Sequence, residues 1–83
     1  MSDSVAQLTA ELARVGNMRE YYKLAERQLT KDTEPNTPAH NVGVSAGSQG
    51  TLMDEAIEAG KQALNGDNEE ARVAAIEALR QFQ

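Results

Sequence analysis

The sequence predicts an all-α protein with a long N-terminal helix, an irregular connection and a C-terminal helical hairpin. Apolar side chains recur at helical spacing in both terminal parts, and residues that cap helices stand at the expected starts. Between these parts, prolines and glycines are concentrated in one segment. We therefore divide one domain into an N-terminal helical arm (1–30), a Pro/Gly-rich linker (31–50) and a C-terminal hairpin (51–83).

The N-terminal arm has the spacing of a helix that packs along one face. Ser4 and Gln7 have the form of a capping box, in which each side chain satisfies a free backbone N–H. Gly16 weakens the helix by about 1 kcal/mol relative to alanine, so we expect a bend there, or two shorter helices. The apolar positions that follow at steps of three and four are Val5, Leu8, Leu12, Val15, Met18 and Tyr22.

The linker is predicted to be irregular over about 20 residues. It contains both prolines and three of the six glycines, and its bulky aliphatic residues are Val42 and Val44. A connection of this length permits an arm that folds back on its own chain. It equally permits an arm exchanged between subunits, and the sequence leaves both alternatives open.

The C-terminal part is predicted to be two helices joined by a tight turn. Thr51 with Asp54 resembles a second capping box, Asn65–Gly66 ends the first helix with a left-handed glycine, and Asp67 caps the second. Small residues on both helices allow a close approach. The predicted hairpin core is Leu52, Ile57, Leu64, Ile76, Leu79 and Phe82.

Composition limits the functions open to the chain. Its formal net charge of -5 argues against a broad electrostatic footprint on DNA or RNA. There is no cysteine for a disulfide or a thiolate metal site, no basic, apolar leader at the N-terminus and no stretch long enough to span a membrane. We expect a cytoplasmic protein, or one within an intracellularly assembled particle, that binds neither nucleic acid nor membrane.

No set of residues suggests catalysis. His40 is the single histidine and has no nucleophile or metal ligand at a recognisable spacing, so we interpret it as a solvated loop residue. The glycines of the linker lack the spacing and the lysine of a phosphate-binding loop. We therefore expect no enzyme activity, no cofactor, no metal and no small-molecule substrate.

The N-terminal arm supplies the candidate interaction residues. The first four apolar positions form the most regular heptad stretch, which predicts an intermolecular seam. Basic residues every four positions form a ridge that can meet the acidic start of the hairpin, including Asp54. The candidate interaction residues are Val5, Leu8, Leu12, Val15, Met18, Arg19, Tyr21, Tyr22, Lys23 and Arg27.

The function that this pattern favours is non-catalytic protein–protein association through helix packing. Eighty-three residues with an irregular centre bury a small core, and chains of this size commonly depend on partners or oligomerisation. The expected partner is another protein, a second copy of the chain, or both. Two alternatives are a small acidic regulator that occludes a larger protein and a structural component of a large assembly such as a virus or phage particle.

Overall fold

A computed structural model describes residues 3–31 and 33–83 as three helices, and no strand occurs among them. The helices are α1 (Asp3–Lys31), α2 (Pro38–Asn65) and α3 (Glu69–Arg80). The all-α prediction is confirmed. The molecule measures 52 × 18 × 15 Å, because α2 folds back along α1 and the short α3 lies against one half of this pair. Residues 1, 2 and 32, which belong to the predicted arm and linker, lie outside the described residues.

Helix α1 runs without interruption through Gly16, so that glycine neither breaks the helix nor divides it in two. A Cβ atom at Gly16 would meet nothing within 4 Å, which shows that the glycine is not required for packing. The predicted capping box is also wrong. Ser4 lies inside the helix, and its hydroxyl donates to Glu69 Oε2 of α3 at 2.9 Å.

Helix α2 begins at Pro38, so the prediction of an irregular linker is wrong for residues 38–50. Thr37 is the N-cap: its backbone is extended, and its hydroxyl oxygen accepts from the N–H of His40 at 3.3 Å. Proline suits the first helical position because its missing N–H and fixed φ cost nothing there. Thr51 lies in mid-helix rather than at a cap, and its hydroxyl donates to the Gly47 carbonyl.

The glycines of α2 form a seam along α1. A Cβ atom at Gly43 would lie 2.8 Å from Leu29 Cβ and 3.3 Å from the Leu29 carbonyl carbon, closer than a side chain permits. Gly47 and Gly50 face Glu26 and Lys23 in the same way, although there the contacts are with flexible side chains. The missing side chains therefore bring the two backbones together, and this packing holds residues 38–50 in a helix.

The turn between α2 and α3 follows the predicted position with different caps. Gly66 is the C-cap residue with φ -97°, so it does not take the left-handed conformation. Asn68, rather than Asp67, caps α3, and its side-chain oxygen accepts from the N–H of Ala71 at 3.2 Å. Glu69 and Glu70 occupy the first turn of α3, where the helix dipole favours negative charge.

The core lies where all three helices meet. Of the predicted hairpin core, Ile76 and Leu79 are buried and Ile57, Leu64 and Phe82 pack against it at the edge. The prediction that Leu52 belongs to this core is wrong, since half of its surface is exposed. The buried cluster is Leu8, Val15, Met53, Ala75, Ile76 and Leu79.

Arg72 ties α3 to the start of α1 and the end of α2. Its side chain is mostly buried and donates to the Ser4 hydroxyl, the Gly66 carbonyl and the Glu69 carboxylate at 3.0, 2.8 and 2.8 Å. Ser4 in turn donates to the same carboxylate oxygen of Glu69. Each of the three guanidinium nitrogens donates a hydrogen bond, and such pairing offsets the cost of burying a charge in a small protein.

Alanine at two glycines of the chain should have opposite effects. Gly16→Ala should raise the free energy of unfolding by up to about 1 kcal/mol, because alanine favours the helix and has free space there. Gly43→Ala should lower it by about 1 kcal/mol, because overpacking against Leu29 outweighs the gain in helix propensity. Urea unfolding followed by circular dichroism measures both; equal stabilisation by the two would contradict the close packing of α1 and α2.

Arg72→Met should destabilise the fold by about 1–3 kcal/mol, because Ser4 and the Gly66 carbonyl lose a buried donor. The matched control is Arg80→Met, since Arg80 is more than half exposed and pairs with Glu11 at 3.6 Å. An exposed pair of this kind contributes less than about 1 kcal/mol. Denaturant unfolding of both variants gives the comparison, and similar losses in the two would refute the anchoring role of Arg72.

Candidate functional site

Helix α3 covers only one half of the α1–α2 pair. Its contacts with α1 extend from Ser4, which bonds Glu69 and Arg72, to Arg14, which donates to the carbonyls of Leu79 and Phe82 at 3.0 and 2.7 Å. We call residues 3–18, 54–65 and α3 the three-helix half. Residues 19–31 and 38–53 are the two-helix half, where no third helix of the described chain continues α3.

The side of α1 that faces α3 continues into the two-helix half. Arg14 marks this side at the end of α3, and residues three or four positions apart share a helix face. Met18 packs at the edge of the core and Tyr22 beyond it. The residues that continue this row are Met18, Tyr21, Tyr22, Ala25, Gln28 and Leu29.

Helix α2 contributes the other side of the same surface. Ala59 and Ala63 line the groove between α2 and α3, and steps of three and four from them lead through Ala56 toward the N-terminal end of α2. The residues that continue this row are Leu52, Gln49, Ser45 and Val42. Together with the α1 row from Met18 to Leu29 they form what we call the uncovered face.

The uncovered face is uncharged and mainly apolar, with Gln28, Ser45 and Gln49 as its exposed polar members. Tyr21, Val42 and Leu52 are 71%, 58% and 50% exposed, and none of the residues that form the face carries a charge. The rings of Tyr21 and Tyr22 meet edge to face, with centroids 6.0 Å apart at 86°. This geometry is favourable for aromatic pairs and gives the face a rigid aromatic edge.

The opposite side of the two-helix half carries its charges. Arg19 bonds Asp54 through a close ion pair, and Lys23 Nζ lies 3.7 Å from the same carboxylate, as the basic ridge and the acidic start of the hairpin predict. The hydrogen bond and charge of Asp54 raise the pKa of the Arg19 guanidinium above its ordinary value. Glu20, Glu26 and Arg27 line the adjoining groove with Arg19 and Lys23.

Two residues of the predicted intermolecular seam have no solvent-exposed surface in this fold. Leu8 and Val15 are fully buried in the chain's own core, and Leu12 packs at its edge. A role for Leu8 and Val15 between molecules would require the bundle to open. Val5 is 42% exposed at the far end of α1. Tyr21 is the most exposed of the predicted apolar residues, and Met18 and Tyr22 lie half-buried beside it.

The α2 side of the uncovered face was missed by sequence reasoning, because residues 38–50 were predicted to be irregular. The signal for a helix there is Thr37–Pro38, an N-cap residue followed by proline at the first helical position. A second signal is the absence of charge: residues 38–53 contain no Asp, Glu, Lys or Arg. Interface cores are depleted in charged residues, whereas solvent-exposed helices are rich in them.

Two further features of the described residues are the surroundings of His40 and a groove between α2 and α3. His40 Nδ1 lies 3.1 Å from the Thr33 hydroxyl at the tip of the α1–α2 pair. Within residues 3–31 and 33–83 no three carboxylate, histidine or cysteine side chains converge as metal ligands, and no helix is both long and apolar enough to cross a membrane. A shallow groove of about 500 Å³ between α2 and α3 is lined largely by alanine.

Comparison with protein-family models, with curated proteins and with solved structures found no match for this chain. What the chain does is therefore inferred from its own geometry, charge and exposed surface.

Proposed function

We propose that the chain is a non-catalytic protein–protein interaction subunit that acts through helix packing, with the uncovered face as its docking surface. One observation carries the proposal: α3 covers half of the α1–α2 pair, and the other half presents an uncharged, mainly apolar face. Helices that pack in bundles bury such faces against a further helix. A partner helix laid beside α1 and α2, in line with α3, would complete a bundle along the full length of the molecule.

The distribution of exposed apolar side chains supports this location. Among the described residues, seven large hydrophobic side chains are exposed, and five of them lie in the two-helix half. Contiguous exposed apolar surface on a small protein is typical of an interaction site, whereas isolated side chains are not. Three of the five, Tyr21, Val42 and Leu52, lie on the uncovered face, whereas Leu24 and Val44 lie on other sides of α1 and α2.

Charge separation favours a second candidate, the acidic regulator. The sequence segments of the three-helix half, residues 1–18 and 54–83, hold nine acidic and four basic side chains, which accounts for the whole net charge of -5. Residues 19–53 carry four of each sign and are neutral. A basic surface on a larger protein would attract the acidic half and leave the uncovered face free. Assembly into a larger particle would also use the uncovered face, so it is one form of the proposed interaction through helix packing.

A photo-crosslinking residue in place of Tyr21 tests the docking surface in cells of the organism that encodes the chain. We expect a defined protein adduct, because Tyr21 projects from the uncovered face. Val42→Glu should abolish the adduct by placing a charge in the apolar contact. Val44→Glu is the matched control, since Val44 is 49% exposed on the same helix but two positions away, on another side.

No adduct, or an adduct that both glutamate variants leave unchanged, would overturn the use of the uncovered face. An adduct weakened by salt and lost when Glu55 and Glu58 are replaced by glutamine would favour the acidic regulator instead.

A further inference from the structure

We infer that the partner on the uncovered face is a second copy of this chain, related to the first by a two-fold axis perpendicular to the long axis. This inference rests on the proposed function and names the partner of the same surface. Two α1–α2 pairs facing each other give an antiparallel four-helix bundle, with one α3 at each outer end. The interface is then isologous, since the same face is used by both copies.

The first argument is electrostatic: the uncovered faces of two copies can contact each other without burying a charged side chain. A partner with charged side chains at the contact would bury them without a counter-ion, because the uncovered face has no charge to offer. The face of a second copy meets this requirement fully. Antiparallel overlap also places the two acidic halves, each with net charge -5, at opposite ends of the dimer. Separation well beyond a Debye length of about 8–10 Å removes their repulsion.

The second argument is the shape of the molecule. Where α3 ends beside Arg14, the molecule becomes thinner by one helix, and we call this change in thickness the step. Beyond it, from Met18 to Lys31, the uncovered part of α1 is about 20 Å long at 1.5 Å per residue. Two identical steps fit together only when the copies run in opposite directions, because a parallel arrangement makes the two α3 helices collide. The two-fold axis then passes near Ala25, the midpoint of the uncovered part of α1, and sets Tyr21 opposite Leu29 of the second copy.

The area of the contact sets the expected strength. A face about 20 Å long on a molecule 18 Å wide covers roughly 360 Å² per copy, or about 700 Å² in total. This total lies below the roughly 1,000 Å² of stable specific complexes and is in the range of weak, transient association. We therefore expect a dimer with a dissociation constant in the micromolar range rather than a permanent one.

Sedimentation equilibrium of the purified chain, from about 1 to 500 μM, tests the dimer. We expect a monomer–dimer equilibrium in the wild type and in Val44→Glu. Val42→Glu should weaken association at least about tenfold while its circular dichroism stays helical, because Val42 is 58% exposed in the monomer. If Val42→Glu fails to fold, Gln49→Glu takes its place, since Gln49 is exposed on the same face and already polar.

A wild type that stays monomeric over this range, or equal weakening by Val42→Glu and Val44→Glu, would overturn the second copy as partner. The proposed function fails separately, in the crosslinking experiment: an adduct with a different protein that Val42→Glu abolishes retains the docking surface and refutes self-association. An adduct of twice the chain mass supports both.

Single cysteines test the orientation, because the chain has none of its own. Ala25→Cys should form a disulfide-linked dimer under mild oxidation, since the two-fold axis brings the two positions together. Gly16→Cys is the control: it has open space around it but lies in the three-helix half, away from the axis. Equal crosslinking of the two variants, or crosslinking of Gly16→Cys alone, would exclude the antiparallel arrangement.

Discussion

The close approach of α1 and α2 is the interaction on which the rest of the structure depends. Gly43 lies against the backbone of Leu29, and Gly47 and Gly50 leave room for Glu26 and Lys23. Residues 38–50 are poor helix formers, since each glycine costs about 1 kcal/mol relative to alanine. Tertiary packing supplies what local propensity lacks. Residues 38–50 also contain no Asp, Glu, Lys or Arg, and Val42 is exposed on their outer side.

Helix α3 completes the packing at one end and defines where it stops. Arg72 connects the start of α3 to Ser4 and Gly66. Arg14 donates to the carbonyl of Leu79 in the last turn of α3 and to that of Phe82 just beyond the helix. Both ends of this short helix are thus held by arginine, and the core under it is small. Most of the fully buried large apolar side chains lie in this core, whereas large apolar side chains of the two-helix half stay partly exposed. The uncovered face carries no charged side chain, whereas the opposite side of the two-helix half holds the ion pairs of Arg19 and Lys23 with Asp54.

Much of the architecture could be predicted from the sequence. Helical spacing indicated α1 over nearly its whole length, and Asn65–Gly66 marked the turn before α3. A contact between the basic ridge of α1 and the acidic patch around Asp54 was predicted from charge, and Arg19 and Lys23 of that ridge pair with Asp54. The uncovered face was not, because its α2 side lies in a segment whose glycines and prolines read as a linker. Likewise, heptad spacing could not show that Leu8 and Val15 pack inside the same chain, since a seam within a molecule and a seam between molecules have the same pattern.

The all-helical class and the division into neutral and acidic segments follow from the amino-acid sequence alone. These are properties of composition and of residues a few positions apart. Three features depend on contacts between distant residues: the helical state of residues 38–50, the packing of α2 back along α1, and the set of apolar residues that stay exposed. The physical reason is that glycine is unfavourable in an isolated helix but favourable where two helices touch. That balance depends on Leu29, which is distant in sequence from Gly43 and adjacent to it in space.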